Sequence, residues 1–463
     1  QNFRSGPILP LNGRDVKVKG PFFTEKKYRR RLPRGGGSDY NRRHQQGRVP
    51  RTEGRHNRMK YDFTTILDRG GHDAVAVDAV TDRSNPNAPT PPKPGFDVIP
   101  MWIADMSFPL CPAVQKAVAD RLQVPHCGYF APRKEYFDSI IRWQTQRNGA
   151  QGLAREHISY ENGVLGGLMS AMNVLCSRGD KVLVHSPTYI GFTNTLTNAG
   201  LHIIHSPLYK DQDSVWRMDF EDMEKKIVEH SIHTAIFCSP HNPTGRVWDR
   251  WEVEKYMDIC QKHDVYVVSD EIWSDILRPE LRHVPIQSVS PDARERTIAL
   301  YAPSKTFSLA GLVGAYHIAY NKRLQDRMIK ESSLSHYNNI NLLSMYALIG
   351  AYSAEGEAWS QELRQVIAQN VDHACAYIQD RFPGVEVIKP QGTYMLYLDC
   401  TKWCEERGKT IDDVKQAGWD VGIGWQDGRA FHGPCHLRVN LALPLSRLQE
   451  ALERMDQYVF NGK

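Results

Sequence analysis

The sequence predicts an α/β fold, with a large domain on a mostly parallel sheet flanked by helices and a smaller α+β domain. Three observations predict it. Between about Ala113 and Leu343, short apolar runs bounded by turn residues alternate with stretches of helical periodicity. Those runs are continuously apolar, as strands covered on both faces require. After Ser344 the order changes to a helix, then strands, then a closing helix, which marks a second, smaller layer.

The elements follow in chain order. Residues 1–58 carry 16 Lys/Arg against 4 Asp/Glu, or +12. The rest of the chain carries 42 against 49, or −7, so the net charge of +5 comes from the first segment alone. With Arg29-Arg30-Arg31, Gly35-Gly36-Gly37 and Arg42-Arg43 and little apolar patterning, this segment cannot bury enough surface to offset its ordering entropy, and is expected to be disordered. It reads as a leader upstream of a start at Met59, ahead of its alternative as an electrostatic grip on nucleic acid or an acidic partner, or a targeting signal. Residues 59–105 form an N-terminal segment joining the small domain, with Asn85 to Pro94 as an extended Pro-rich linker. Residues 106–343 form the large domain; Lys181 to Pro187, Thr234 to Cys238, Val265 to Val268 and Thr297 to Tyr301 are its strand signals. Residues 344–463 form the small domain, with one long helix from Tyr346 to Phe382, strands at Val385 to Ile388, Tyr394 to Leu398 and Leu437 to Ala442, and the closing helix.

Length and composition bound the class. A chain of 463 residues can bury a large core in two or three domains, and 41% hydrophobic with 24% charged residues is ordinary for a soluble protein. No apolar run is long enough to cross a bilayer and no secretory h-region stands near the start, so a cytoplasmic protein is expected. Nine scattered cysteines without paired CxxC spacing argue for free thiols rather than a disulfide frame or a metal site.

The chemistry is carried by spacing. Asn242 lies in Ser239-Pro240-His241-Asn242-Pro243-Thr244-Gly245. Asp270 follows 28 residues later, at the end of an apolar run, and Lys305 lies 35 residues beyond that, in Pro303-Ser304-Lys305-Thr306-Phe307. Each interval is about one βαβ unit, so three neighbouring strand ends can bring an amide, a carboxylate and an amine into one crevice. Taken singly, these are a turn asparagine, a helix cap and a surface lysine. Upstream, Asn162-Gly163-Val164-Leu165-Gly166-Gly167 opens a helix-like stretch, a place for a phosphate on free N–H groups and the positive dipole end. An amine able to form an imine, with a carboxylate for a pyridinium nitrogen, is the protein's share of pyridoxal 5'-phosphate chemistry.

These motifs resemble the fold-type I pyridoxal phosphate enzymes of aminotransferase class I/II. Met101-Trp102-Ile103-Ala104-Asp105-Met106, Gly128-Tyr129, Pro187-Thr188-Tyr189, Gly392-Thr393-Tyr394 and Leu437-Arg438-Val439-Asn440 bring the chain close to the MalY/PatB group of cystathionine β-lyases and cysteine C–S lyases. The resemblance covers about Tyr61 to Leu452. It implies that Lys305 carries the cofactor and moves the Cα proton, that Asp270 pairs with the ring nitrogen, that Asn242 reaches the phenolic oxygen and that Tyr189 stacks on the ring. Val164, Leu165 and Ser304 serve the phosphate, and Tyr129 reaches the phosphate of a neighbouring subunit, which requires a homodimer. Arg438 takes the carboxylate of a small amino-acid substrate in a bidentate pair, with Trp102, Asp105 and Tyr394 beside it. Three positions depart from the group's usual residues: Ser308 for Asn, Trp273 for His and Ser107 for Asp. The implied reaction is β-elimination from cystathionine or another S-substituted L-cysteine, giving thiol, pyruvate and ammonia. An aminotransferase and a tailoring lyase on a bulky thioether are the alternatives, and a cofactor-retaining binding protein that uses the basic tail on nucleic acid ranks last.

Overall fold

The computed structural model describes residues 59–83, 85, 87–335 and 338–462; the basic tail expected over residues 1–58 lies outside them. An eight-stranded sheet organises the larger part. Its strands are β2 (Ile158–Glu161), β3 (Lys181–Ser186), β4 (His202–Lys210), β5 (Trp216–Met218), β6 (Thr234–Cys238), β7 (Tyr266–Asp270), β8 (Thr297–Tyr301) and β9 (Ala315–Ile318), preceded in the chain by the short β1 (Ile99–Pro100). The spatial order is β2-β9-β8-β7-β6-β3-β4-β5. The central strands β8, β7, β6, β3 and β4 are parallel, while β2, β9 and β5 join antiparallel at the edges. The expectation of a mostly parallel sheet thus describes the centre; a short connection reverses the chain from β4 to β5, and the longer loop carrying Lys305 reverses it from β8 to β9.

Both faces of this sheet are covered, as continuous apolar runs require. Val182, Val184, Ile236, Val268 and Ile298 pack with the helices Gly163–Leu175, Ile190–Asn198 and Lys322–Ser335. The intervening Leu183, Ala235, Phe237 and Val267 pack with the helices Phe220–His230 and Arg250–Lys262 on the opposite face.

A four-stranded antiparallel sheet follows, from β10 (Glu386–Val387), β11 (Met395–Asp399), β13 (Gln426–Asp427) and β14 (His436–Asn440), in the order β10-β11-β14-β13. The strand β12 (Ile423–Gly424) pairs in parallel with β1, so the N-terminal segment is stitched to the C-terminal part. Glu362 accepts from the backbone N–H groups of Lys60 and Tyr61, which holds the start of the described chain on the helix Ala354–Arg381.

Two expectations are corrected. The single helix from Tyr346 to Phe382 is two helices, Leu342–Ala351 and Ala354–Arg381. Ser353 caps the second, its hydroxyl accepting from Gly356 N at 3.1 Å, and a hydroxyl bonded to local backbone competes with helix continuation. The Pro-rich stretch is not a free linker either, because Ala88 is buried against Trp102 and Ala79. Among the described residues no helix is long and apolar enough to cross a membrane, and all nine cysteines are unpaired.

Candidate active site

The parallel register aligns the C-terminal ends of three strands. Cys238 of β6 lies opposite Asp270 of β7, which lies opposite Leu300 of β8. The chain leaving each end supplies one polar group to a cavity of about 210 Å³, lined among others by Asn242, Asp270 and Lys305. Val164 and Leu165, at the start of the helix Gly163–Leu175, line it too, with Tyr189, Ser304, Trp273 and Ala104.

Each side chain is fixed by its local turn. Gly245 closes the loop of Asn242 by donating to His241 O at 2.7 Å. It stands at φ +70°, and a Cβ there would meet Pro390 at 2.3 Å, so only glycine fits. In the loop after β8, Phe307 N donates to Pro303 O at 2.9 Å, and the buried Phe307 ring stacks on Trp359. Thr306, next to Lys305, donates to the buried carboxylate of Asp275 at 3.1 Å. Asp275 also accepts from Trp143 Nε1 at 3.1 Å and pairs with Arg147 at 2.8 Å. Ser308 sits in the left-handed region at φ 55° and accepts from Met106 N at 3.1 Å.

Burial sets the protonation of the central pair. It pushes the Asp270 carboxyl up to about 7, against the backbone N–H of Ile272, which donates to it at 3.0 Å, and the nearby Lys305. Burial, helped by the Arg438 charge, lowers the Lys305 amine to about 8. Lys305 Nζ donates to Ala104 O at 2.9 Å and lies 5.7 Å from the centre of the Trp273 ring. Tyr394, fully buried, donates to the same carbonyl at 3.1 Å and meets Trp273 edge to face at 4.7 Å.

Arg438 projects from β14 into a set of neutral acceptors: Asn242 Oδ1 at 3.2 Å, Trp102 O at 3.1 Å and Gln426 Oε1 at 2.5 Å. Its Nε has no partner, and among the described residues no carboxylate pairs with it. A buried guanidinium in that state is costly, and burial lowers its pKa to about 10.

The remaining positions singled out in the sequence lie apart from the cavity lining. Trp102 turns its ring toward the helix Val75–Asp82, donating to Ala76 O at 3.0 Å, so its carbonyl and not its ring reaches Arg438. Asp105 pairs with Arg69 at 2.5 Å, and Arg69 also donates to Ser107 Oγ at 3.1 Å. Tyr129 is fully exposed and borders a separate surface groove with Phe130 and Arg155. Sequence reasoning missed Asp275, Gln426 and the Ala104 carbonyl. The first two are ordinary polar residues in sequence, and a backbone carbonyl has no sequence signature.

Fold and cavity together define the fold-type I architecture of pyridoxal phosphate-dependent enzymes, with the three strand-end groups at the carboxyl edge of the sheet. The chain belongs to the aminotransferase class I and II family, whose model matches residues 97–455. It is similar to cystathionine β-lyase PatB of Bacillus subtilis (strain 168), at 32% identity over 362 residues, covering 78% of this chain and 92% of that protein. It is also similar to protein MalY of Escherichia coli (strain K12), at 28% over 407 residues, covering 85% and 97%. The crystal structure of the PLP-bound C–S lyase from Staphylococcus hominis superposes with a TM-score of 0.76 at 28% identity, covering 86% of this chain and 98% of that one.

Proposed function

We propose that the protein is a pyridoxal 5'-phosphate-dependent carbon–sulfur lyase that eliminates a thiol from cystathionine or another S-substituted L-cysteine, leaving pyruvate and ammonia. One observation carries the reading: a buried, unpaired guanidinium, Arg438, bonded to Asn242 on the wall of the cavity that holds Lys305 and Asp270. That donor set fits an amino acid bound beside the cofactor. The reaction type is supported by relatives named as cystathionine β-lyase and C–S lyase.

The cavity residues suit the cofactor. The Gly163–Leu165 helix start and Ser304 would take its phosphate, Asn242 its phenolic oxygen, Asp270 its ring nitrogen, and Tyr189 its face. Bound there, pyridoxal phosphate supplies an electron sink for the bonds at Cα and Cβ. Lys305, its amine lowered to about 8, is part-neutral near neutrality and so can hold the cofactor and afterwards take the Cα proton. Arg438 would orient the substrate carboxylate, positioned by the Trp102 carbonyl, while Tyr394 would fix the Ala104 carbonyl that also accepts from Lys305; the Trp102 ring and Asp105 stand behind the lining. Trp273 closes the cavity beside Lys305 without a titrating group, so the proton at Cα is left to the lysine.

A homodimer belongs to this reading: Tyr129, exposed on its own chain, would complete the phosphate site of a partner subunit. Nine unpaired cysteines fit a cytoplasmic setting. The second reading, an aminotransferase, rests on the family and on Trp273 standing where the lyase group has histidine. Incubation with cystathionine alone and with an amino-acid/keto-acid pair separates the two. Pyruvate and thiol without any keto acid support the lyase; an obligatory keto acceptor rejects it.

A further inference from the structure

A second polar cavity lies behind the strand that ends in Asp270. Successive residues of an extended chain point to opposite faces, so Glu271 turns away from the Asp270 side. Its carboxylate is fully buried and accepts from Tyr301 Oη at 2.6 Å, Ser269 Oγ at 2.9 Å, Ile286 N at 3.3 Å and His283 Nε2. The other ring nitrogen of His283, Nδ1, is buried and has no partner among the described residues. The ring borders a cavity of about 230 Å³, as large as the one that holds Lys305 and sharing no lining residue with it.

The wall of this cavity is one-sided in charge. It carries Arg294 and, at the exposed rim, Arg250 beside His283 and Gln287, and no Asp or Glu lines it; Arg250 pairs with Glu254 at 3.6 Å outside the lining, which leaves Arg294 as the uncompensated charge. Among the described residues no carboxylate pairs with Arg294; its guanidinium lies over the Tyr320 ring at 4.7 Å, and its Nε is buried without a hydrogen-bond partner. Two buried nitrogens left unmatched around one cavity are an uncommon expense in a folded protein.

We propose that this cavity is a binding site for a compact oxyanion, a carboxylate or phosphate group, held by Arg294 and His283. With Nε2–H given to Glu271, Nδ1 carries a lone pair that can accept from the hydroxyl of a hydrogen phosphate, and the Arg294 guanidinium, with no carboxylate partner among the described residues, takes the ligand's charge. A carboxylate meets that same guanidinium. The site stands independently of the reaction assigned to the other cavity.

Isothermal titration of the holoenzyme with inorganic phosphate and, separately, with pyruvate tests it, using wild type, Arg294→Gln and the rim variant Arg250→Gln. Pyruvate can also meet Arg438, so the difference between wild type and Arg294→Gln isolates this site. The expected result is saturable binding of at least one probe that weakens about tenfold or more in Arg294→Gln and less in Arg250→Gln, with turnover in anion-free buffer unchanged. A response to phosphate alone identifies a phosphoryl ligand, and a response to pyruvate alone a product-like carboxylate; both support the site. No saturable binding of either probe, or equal affinity in Arg294→Gln, means that water alone fills the cavity and overturns the proposal.

Discussion

Arg438 is held by three neutral oxygens, those of Asn242, Trp102 and Gln426, which fix the fork of its guanidinium while leaving the charge unspent. Lysine cannot reproduce that fork. Arg438→Lys is therefore expected to raise the KM for the amino acid by about 100-fold, on the order of 3 kcal/mol, with the absorbance of bound cofactor retained; steady-state kinetics and a spectrum check both. Asp270 gives a pH signature. Its folded pKa of about 7 lies above the ordinary 3.8, so its contribution to stability is fully present below 3.8 and is lost as the pH rises through about 7. Cofactor-free protein should lose thermal stability across that window, whereas Asp270→Asn should not, and a cation held on the carboxylate in the holoenzyme should flatten the loss. Calorimetric melts at stepped pH measure this. At this scale Lys305, Asp270 and Asn242 were legible because strand ends recur at a regular interval. The Trp102 and Ala104 carbonyls were not, since side-chain identity says nothing of where a carbonyl points.

At the scale of elements, the chain's patterning gave the central strands closely because a strand buried on both faces must be apolar throughout. It failed at Tyr352 and Ser353, where the helical periodicity continues across a break set by one hydroxyl bond to Gly356 N. The antiparallel strands β2, β5 and β9 were also hidden, being only three or four residues long. A packing constraint between elements is equally silent in sequence: Gly350, in the helix Leu342–Ala351, sits so close to the helix Pro112–Leu122 that a Cβ would lie 2.6 Å from Ala113 O. Gly350→Val is expected to cost roughly 1–3 kcal/mol by forcing these helices apart, read as a lowered Tm with the cofactor site spectroscopically intact.

At the scale of the whole molecule, the account requires a catalytic site assembled from two chains. Lys305→Ala and Tyr129→Phe should each be defective alone, while mixed and re-annealed dimers should recover about a quarter of wild-type activity, since half the dimers are hybrids and each hybrid rebuilds one site. No recovery, with hybrids demonstrated by mass, would place Tyr129 outside the site. The claim on which everything else rests is the covalent attachment of pyridoxal phosphate to one amine beside Asp270. Borohydride reduction of the purified holoenzyme followed by peptide mass mapping tests it most directly. The account expects the reduced pyridoxyl label on the peptide containing Lys305 and on no other; an unlabelled Lys305, or a label on a different lysine, contradicts it.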